Sequence, residues 1–349
     1  MSNLPSGEIP RGAIRFNTDS NKPELWDGSQ WAEFQLSSPA LGRGADTGPG
    51  ARGIFGGGSN SDLSPVDRTT IDYINISSTG DAQDFGDLTT IRNQGAGYSS
   101  STRAVFMGGG NPPTPNTSSM DLHIISTTGQ TASSFGTLIS NKKEFTALSN
   151  ATRGLHMGGA TTAPSGTTIG YHTISSGGTG QTFGELTAAR EQNFSCASSV
   201  RGIINSGNSS PTTVNIIDFV TIATLGDAQD FGDNTLKRFG SAGMSNPTRG
   251  VFGGGWEGGV QNVIEYITIA TTGNATNFGD LNSARYTVGG MASVTRGFFC
   301  GGSENPGPVL NEIIYVNILT EGNSVDFGDL TNTTTGTGSG PVSNAHGGL

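Results

Sequence analysis

The stretch RYTVGGMASVTRGFFCGG, residues 285–302, decides the reading because it recurs. The chain runs GVFGGG after Arg249, GLHMGG after Arg153, AVFMGGG after Arg103 and GIFGGG after Arg52, and GIINSG after Arg201 is a degenerate copy. The arginines at 52, 103, 153, 201, 249 and 296 are spaced by 51, 50, 48, 48 and 47 residues. A second mark, a Phe-Gly pair, has its phenylalanines at 85, 135, 183, 231, 278 and 327, spaced by 50, 48, 48, 47 and 49. Two independent marks give the same count of six, so the period is not an accident of glycine richness.

Each unit reads as four short strands. Phe298–Cys300 is a strand ended by Gly301-Gly302, and a loop of variable length follows. Ile313–Ile318 is rich in β-branched residues, the composition of a buried or half-buried strand. A Thr/Gly turn such as Thr271–Gly273 leads to a short strand closing on Phe-Gly-Asp-Leu, and Val288–Ser293 is a small-residue strand. The glycines penalise any helix by up to about 1 kcal/mol each. Four antiparallel strands repeated six times predict an all-β chain built as a six-bladed β-propeller. In blade 1 the expected strands are Ile54–Gly58, Ile71–Ile76 and Ala82–Leu88, and none precedes Arg52, where GADTGPGA is turn-rich. The C-terminal GSGPVSNAHGG places His346 where other copies have arginine, so residues 336–346 are expected to supply the missing inner strand and seal the ring.

The pattern resembles the kelch family over roughly residues 51–346. The arginine, the double glycine (Gly109-Gly110, Gly158-Gly159, Gly254-Gly255, Gly301-Gly302) and the aromatic of the fourth strand carry the resemblance. Kelch repeats carry tryptophan at that last place; six phenylalanines here make this a divergent branch.

The phenylalanines read as core between blades, and the double glycines as sites of close approach or positive φ. No GxxxxGK[ST] follows them, which excludes a P-loop. An acid stands five residues before a base in Asp87/Arg92, Glu185/Arg190, Asp233/Arg238 and Asp280/Arg285. These are expected to pair across the turn between blades, at about 0–1 kcal/mol each if exposed. Calcium at Asp81, Asp84 and Asp87, or at Asp227, Asp230 and Asp233, is the alternative, but their spacing is no EF-hand.

The formal charge of −10, from 28 acids and 18 bases, disfavours nucleic acid or an anionic membrane surface as a partner. No apolar run approaches the ~18 residues of a spanning helix, and the N-terminus lacks the apolar core of a signal peptide. Cys196 and Cys300 read as buried thiols. His123, His156, His172 and His346 show no metal-ligand spacing and no GxSxG is present, so neither a catalytic set nor a cofactor is expected.

The loops after the double glycines vary in length and chemistry while the strands hold their pattern, as when a rigid scaffold presents a binding surface. All six should emerge on one face. They nominate Asp62 and Arg68, the aromatic–acid pair Trp256 and Glu257 (a sugar-contact chemistry), and Glu304 with Asn305.

Residues 1–36 lie outside the repeat, joined to the propeller of residues 51–349 by a linker at 37–50. GAIRFNTDSNKPELWDGSQWAEF holds an alternating strand (Ala13–Thr18), a second (Glu24–Trp26), an Asp27-Gly28 turn signal and a third around Trp31. So short a module cannot sustain its own core and needs another body. It resembles a module of tailed-phage structural proteins, of the form GxIRxNT…E…W/Y-DGxxW, through Gly12, Ile14, Arg15, Phe16, Asn17, Thr18, Glu24, Trp26, Asp27, Gly28 and Trp31. The resemblance implies a virion fibre protein. Other virion proteins would hold its N-terminus, with Arg15, Trp26, Asp27 and Trp31 as attachment residues. Its propeller would bind a host-surface glycan or protein. Phage fibres are often trimeric, so the resemblance allows a homotrimer. A structural decoration without a receptor role is the alternative, and a glycan-active enzyme or copper oxidase the third reading.

Overall fold

Each repeat folds as an antiparallel sheet whose small-residue strand lies innermost, because only small side chains fit where six strands converge. The computed structural model describes residues 10, 13–17, 22–26, 28–33, 51–59, 69–110, 116–160, 166–209, 211–334 and 340–349, with no helix among them. The chain is a six-bladed β-propeller with a separate three-stranded N-terminal sheet. In blade 5 the strands are Ala242–Ser245, Arg249–Gly253, Val263–Thr268 and Thr276–Asp280, from axis to rim. In blade 6 they are Gly289–Ala292, Arg296–Cys300, Glu312–Asn317 and Val325–Asp329. Blade 4 departs at its worn repeat: Ser206-Gly207 stands where others have the double glycine, and the second and third strands run on as a hairpin, Arg201–Ser209 with Thr212–Thr221.

Blade 1 takes its inner strand from the C-terminus. Val342 stands opposite Ile54 and Ser343 opposite Gly53, and Asn344 Oδ1 accepts the Arg52 N–H at 2.9 Å. The expectation for His346 is corrected. Arg52 itself holds the arginine position of this blade, and the chain beyond Ser343 turns in toward the axis, where the His346 ring meets Ser99.

The Phe-Gly mark is a bulge. In all six outer strands the register slips at the phenylalanine, in blade 6 between Asp326 and Gly328. The slip turns the ring inward, and all six phenylalanines are buried between blades. The following glycine presses on the next blade: a Cβ on Gly232 would overlap the Gly273 carbonyl oxygen, and one on Gly328 that of Gly80. Two main-chain bonds join the blades there, Gly273 N to Phe231 O (2.8 Å) and Ala275 N to Asp233 O (2.8 Å). Between blades 6 and 1 the same pair is Gly80 N to Phe327 O (3.0 Å) and Ala82 N to Asp329 O (2.7 Å).

The repeated arginine is a staple between blades. Each Nη1 donates to an isoleucine carbonyl of the following blade at 2.7–3.0 Å: Arg52 to Ile125, Arg103 to Ile174, Arg153 to Ile222, Arg201 to Ile269, Arg249 to Ile318 and Arg296 to Ile76. In five blades the guanidinium lies over an aromatic ring of its own third strand, as Arg249 does over Tyr266 at 4.4 Å.

The second set of bases is paired otherwise than the chain spacing suggests. Arg92, Arg190, Arg238 and Arg285 do not take the acids five residues before them. They take acids in the third strand of the next blade: Asp121 at 3.0 Å, Asp218, Glu265 at 2.6 Å and Glu312 at 2.5 Å. The four guanidinium groups are fully buried, so the exposed-pair magnitude does not apply. Asp87 and Glu185 instead accept the hydroxyls of Thr69 and Thr167. Between blades 2 and 3 the base is Lys142, and Gly170 stands where the acid would be. A Cβ there would overlap His156, which fills the space and packs at a tilt against His172 with ring centroids 5.5 Å apart. Lys142 Nζ reaches only the Gly158 carbonyl, at 3.4 Å, and both His156 ring nitrogens lack partners.

The N-terminal sheet is an antiparallel meander of Ile14–Asn17, Lys22–Trp26 and Trp31–Glu33. Contacts divide the chain into units of residues 1–43 and 44–349. The expected linker at 37–50 lies outside the described residues.

Two predictions follow from the seams. Arg190→Met alone should cost about 3–5 kcal/mol in urea unfolding, because it strands the buried Asp218 carboxylate, while Arg190→Met with Asp218→Leu should recover most of the loss. A single variant as stable as the double would contradict a buried pair. The second concerns pH. Burial pushes Lys142 from the ordinary 10.5 down to about 7, and burial, Lys142 and His172 hold His156 well below 6.5. The unfolded chain keeps the lysine proton to pH ~10.4, so it binds more protons than the folded chain between pH 7 and 10, and stability rises with pH across that window. Below about pH 6.5 the unfolded chain also gains a proton that His156 refuses, and stability falls further. Lys142→Met should flatten the rise above pH 7, worth on the order of 4 kcal/mol; an unchanged profile would refute the assignment.

Candidate functional site

Six inner strands cannot meet at a point, so an axial channel is left between them, and its width follows from the residues that face it. Gly97, Ala147, Ser195, Gly243, Gly290 and Pro341 line the wall, all small or compact. The close fit is strict: a Cβ on Gly243 would collide with the Ser195 carbonyl oxygen, at 2.5 Å. Serine hydroxyls tie one inner strand to the next, Ser149 Oγ to Ser99 O (2.6 Å), Ser99 Oγ to Ser343 O (2.7 Å) and Ser245 Oγ to Ala197 O (2.7 Å).

The channel holds an upper cavity of about 130 Å³ and a lower one of about 70 Å³. Around the upper mouth each blade sets one residue in the left-handed region: Gln94 (φ 54°), Glu144 (57°), Gln192 (53°), Gly240 (64°), Thr287 (53°) and Gly340 (65°). Main-chain bonds step around this rim, Glu144 N to Gln94 O (2.7 Å), Gln192 N to Glu144 O (2.6 Å) and Gly240 N to Gln192 O (3.1 Å). The C-terminus closes the lower end. His346 Nδ1 accepts from Gly348 N at 3.1 Å, which leaves Nε2–H to donate to Ser99 O at 3.1 Å, and Gly347 N donates to Ser245 O at 2.9 Å. Burial holds the His346 imidazole neutral, its pKa lowered to about 4.

Among the described residues, the variable loops of blades 2 to 6 begin on the open face. In five blades a residue at the start of the loop bridges to one just before the rim: Gly110, the last of three glycines, to Asn93, Ala160 to Lys143, Trp256 to Phe239 and Ser303 to Tyr286, with Asn208 and Glu191 the counterpart in blade 4. Trp256 is half-buried, and its ring sits edge-on to Tyr286 at 5.4 Å, beside the rim residue Thr287. Phe239 and Tyr286 were not foreseen, although each stands one residue after a repeated base, Arg238 or Arg285, a position the repeat itself marks. Glu257 is exposed and caps its loop through the Lys237 N–H at 3.3 Å. Glu304 and Asn305 occupy the next blade's loop, half-buried and exposed, with Glu304 N donating to Pro308 O at 3.1 Å. Asp62 and Arg68 lie outside the described residues, as does Asp27.

In the N-terminal sheet the other three expected attachment residues come together. The Arg15 guanidinium lies 4.3 Å from the Trp31 ring and is 2.7 Å from Glu24, and Trp31 packs on Trp26 at 5.5 Å. Their alternation along paired strands puts them on one face.

Other candidate chemistry has structural roles. Asp81 and Asp227 accept main-chain N–H groups of Asp329 (3.1 Å) and Glu185 (2.9 Å), and Asn274 and Asn323 do the same elsewhere, so the position needs an acceptor and not a charge. Cys196 and Cys300 are buried free thiols whose pKa values burial raises. His123 sits edge-on to Phe85 and Phe106. Among the described residues no three His, Cys, Asp or Glu side chains converge as metal ligands. No protein-family model matches the chain, and no curated protein matches it.

Proposed function

We propose that this chain is a virion fibre protein of a tailed phage, a divergent kelch-like propeller that binds a glycan or protein of the host surface through its loop face. The observation that supports this reading most is the coincidence, on one face, of an open axial well with the starts of the variable loops of five blades. The scaffold beneath is held by staples at every seam, so the loops can vary without disturbing the ring. Phe239, Trp256 and Tyr286 form a half-buried aromatic group beside the well, suited to stacking on a sugar ring or an apolar side chain. The N-terminal cluster of Arg15, Glu24, Trp26 and Trp31 suits attachment to another virion protein, with its aromatic surface carried on a separate unit. Recognition of this kind needs shape and hydrogen bonds, and no covalent step.

The test is adsorption. Fluorescently labelled full-length protein should bind some strains of a bacterial panel and compete with phage adsorption to them. Trp256→Ala should weaken binding about tenfold or more with the fold intact, as for an aromatic anchor. Protein that assembles onto particles but neither binds cells nor competes would support the decoration role instead.

A further inference from the structure

The axial channel is a blind well, and its shape, lining and rim together restrict what it can take. It opens on the loop face and ends on the C-terminal residues His346–Leu349. These are fitted to the inner strands: a Cβ on Gly348 would overlap the Ser149 carbonyl oxygen, and one on Gly347 that of Asn246. A polymer cannot thread such a well, whereas a chain end or a single-unit branch can enter it. The upper cavity of about 130 Å³ approaches the ~150 Å³ engineered cavity that accepts a six-membered benzene ring.

The lining fixes the chemistry. Gln94 and Gln192 offer carboxamides, the hydroxyls of Thr146, Ser241 and Thr287, whose hydrogens go to Ser195 Oγ, Gly254 O and Tyr286 O, offer acceptor lone pairs, and Glu144 supplies one carboxylate, 3.3 Å from Lys143 Nζ. No arginine or lysine is among the lining residues, and the adjacent Lys143 ammonium is taken up by Glu144 and by Gln94 Oε1 (3.1 Å), so an acidic sugar or a phosphate would meet no unpaired cation.

The rim adds an independent observation. Gln94, Glu144, Gln192 and Thr287 hold φ values of 53–57°, where glycine would be free of strain and Thr is a true outlier. Gly240 and Gly340 show that glycine fits the same ring. Polar side chains kept at a conformational cost, in a rim fixed by its own main-chain bonds, have the character of a preorganised binding site.

We infer that the axial well receives the terminal residue of a neutral glycan end-on. The protein then recognises chain ends or single-sugar branches, not the interior of a polysaccharide. This rests on the recognition role proposed above and specifies its ligand.

The experiment titrates full-length protein, by saturation-transfer NMR and calorimetry, with methyl glycosides of glucose, galactose, mannose and N-acetylglucosamine, and with glucuronic acid and glucose 6-phosphate. One or more neutral glycosides should bind with a dissociation constant of the order of 1 mM, as suits so small a ligand, and the acidic sugars at least about tenfold more weakly. Ala147→Leu, which fills the well from its wall, should abolish this binding while Asp84→Asn, on the exposed outer strand of blade 1, leaves it within about twofold. Gln192→Ala, outside the packed wall, should also lose it, so a failure of the leucine variant to fold does not rescue the proposal. Overturning results are neutral glycosides that all fail to bind, binding indifferent to both well variants, acidic sugars or peptides preferred, or a linear oligosaccharide and its ring-closed, endless counterpart binding equally. Labelled protein that adsorbs to cells without competition by any glycoside would overturn end-on sugar capture and leave host recognition standing. Protein that binds glycosides but no cells would do the reverse.

Discussion

The guanidinium that crosses from one blade to the next is the interaction on which the rest of the structure depends. An isolated four-stranded sheet with these small inner residues has little core of its own, and its buried phenylalanines would face water. Each blade completes its neighbour. The arginine staple binds a carbonyl of the following blade, the bulged phenylalanine fills the gap between them, and the outer strand accepts two main-chain bonds from the next turn. Arg296 reaching Ile76 makes the last of these contacts the same as the first five, so the ring closes with one kind of contact at every seam. The geometry of the axis is a consequence. Once six blades are fixed, the width of the well is set by glycine, alanine and serine on the inner strands.

What was legible in the sequence was whatever repeats with the period of a blade. The arginines and the Phe-Gly pairs gave the number of blades and the order of strands. The C-terminal source of the first inner strand followed from the turn-rich residues before Arg52. The ion pairs were misread because spacing along the chain was taken for spacing in space. The signal was present nonetheless: Asp121, Asp218 and Glu265 stand at one position of the third strand and Glu312 two residues before it, 27–29 residues after the base that each one meets. Lys142 and Gly170 show the same relation by exception, a base without its acid. His346 was misplaced because its distance from Phe327 mimics that of an arginine, although the strand ends earlier and the chain turns inward.

The proposed binding face was half legible. Variable loops after a constant double glycine named Trp256, Glu257, Glu304 and Asn305, and the bridges to the rim place these loops on the open side of the channel. The well could not be foreseen, because it is made of an absence of side chain along the inner strands and of backbone conformations that leave no mark in composition. Phe239 and Tyr286 escaped for a different reason. They follow the repeated bases, but Asn93, Lys143 and Glu191 hold the same position in other blades, which hides the aromatic surface from a search for periodicity.

Closure of the ring by its own C-terminus holds the first and last blades together. It is tested most directly by comparing the urea unfolding of the intact chain with that of a chain ending at residue 339, followed by fluorescence and by circular dichroism. Closure predicts that the intact chain unfolds in one steep transition seen alike by both probes. The shortened chain, with Ile54 uncovered and the plug gone, should unfold at lower urea, with a shallower slope and with the two probes no longer coincident. Superimposable curves for the two chains would contradict it.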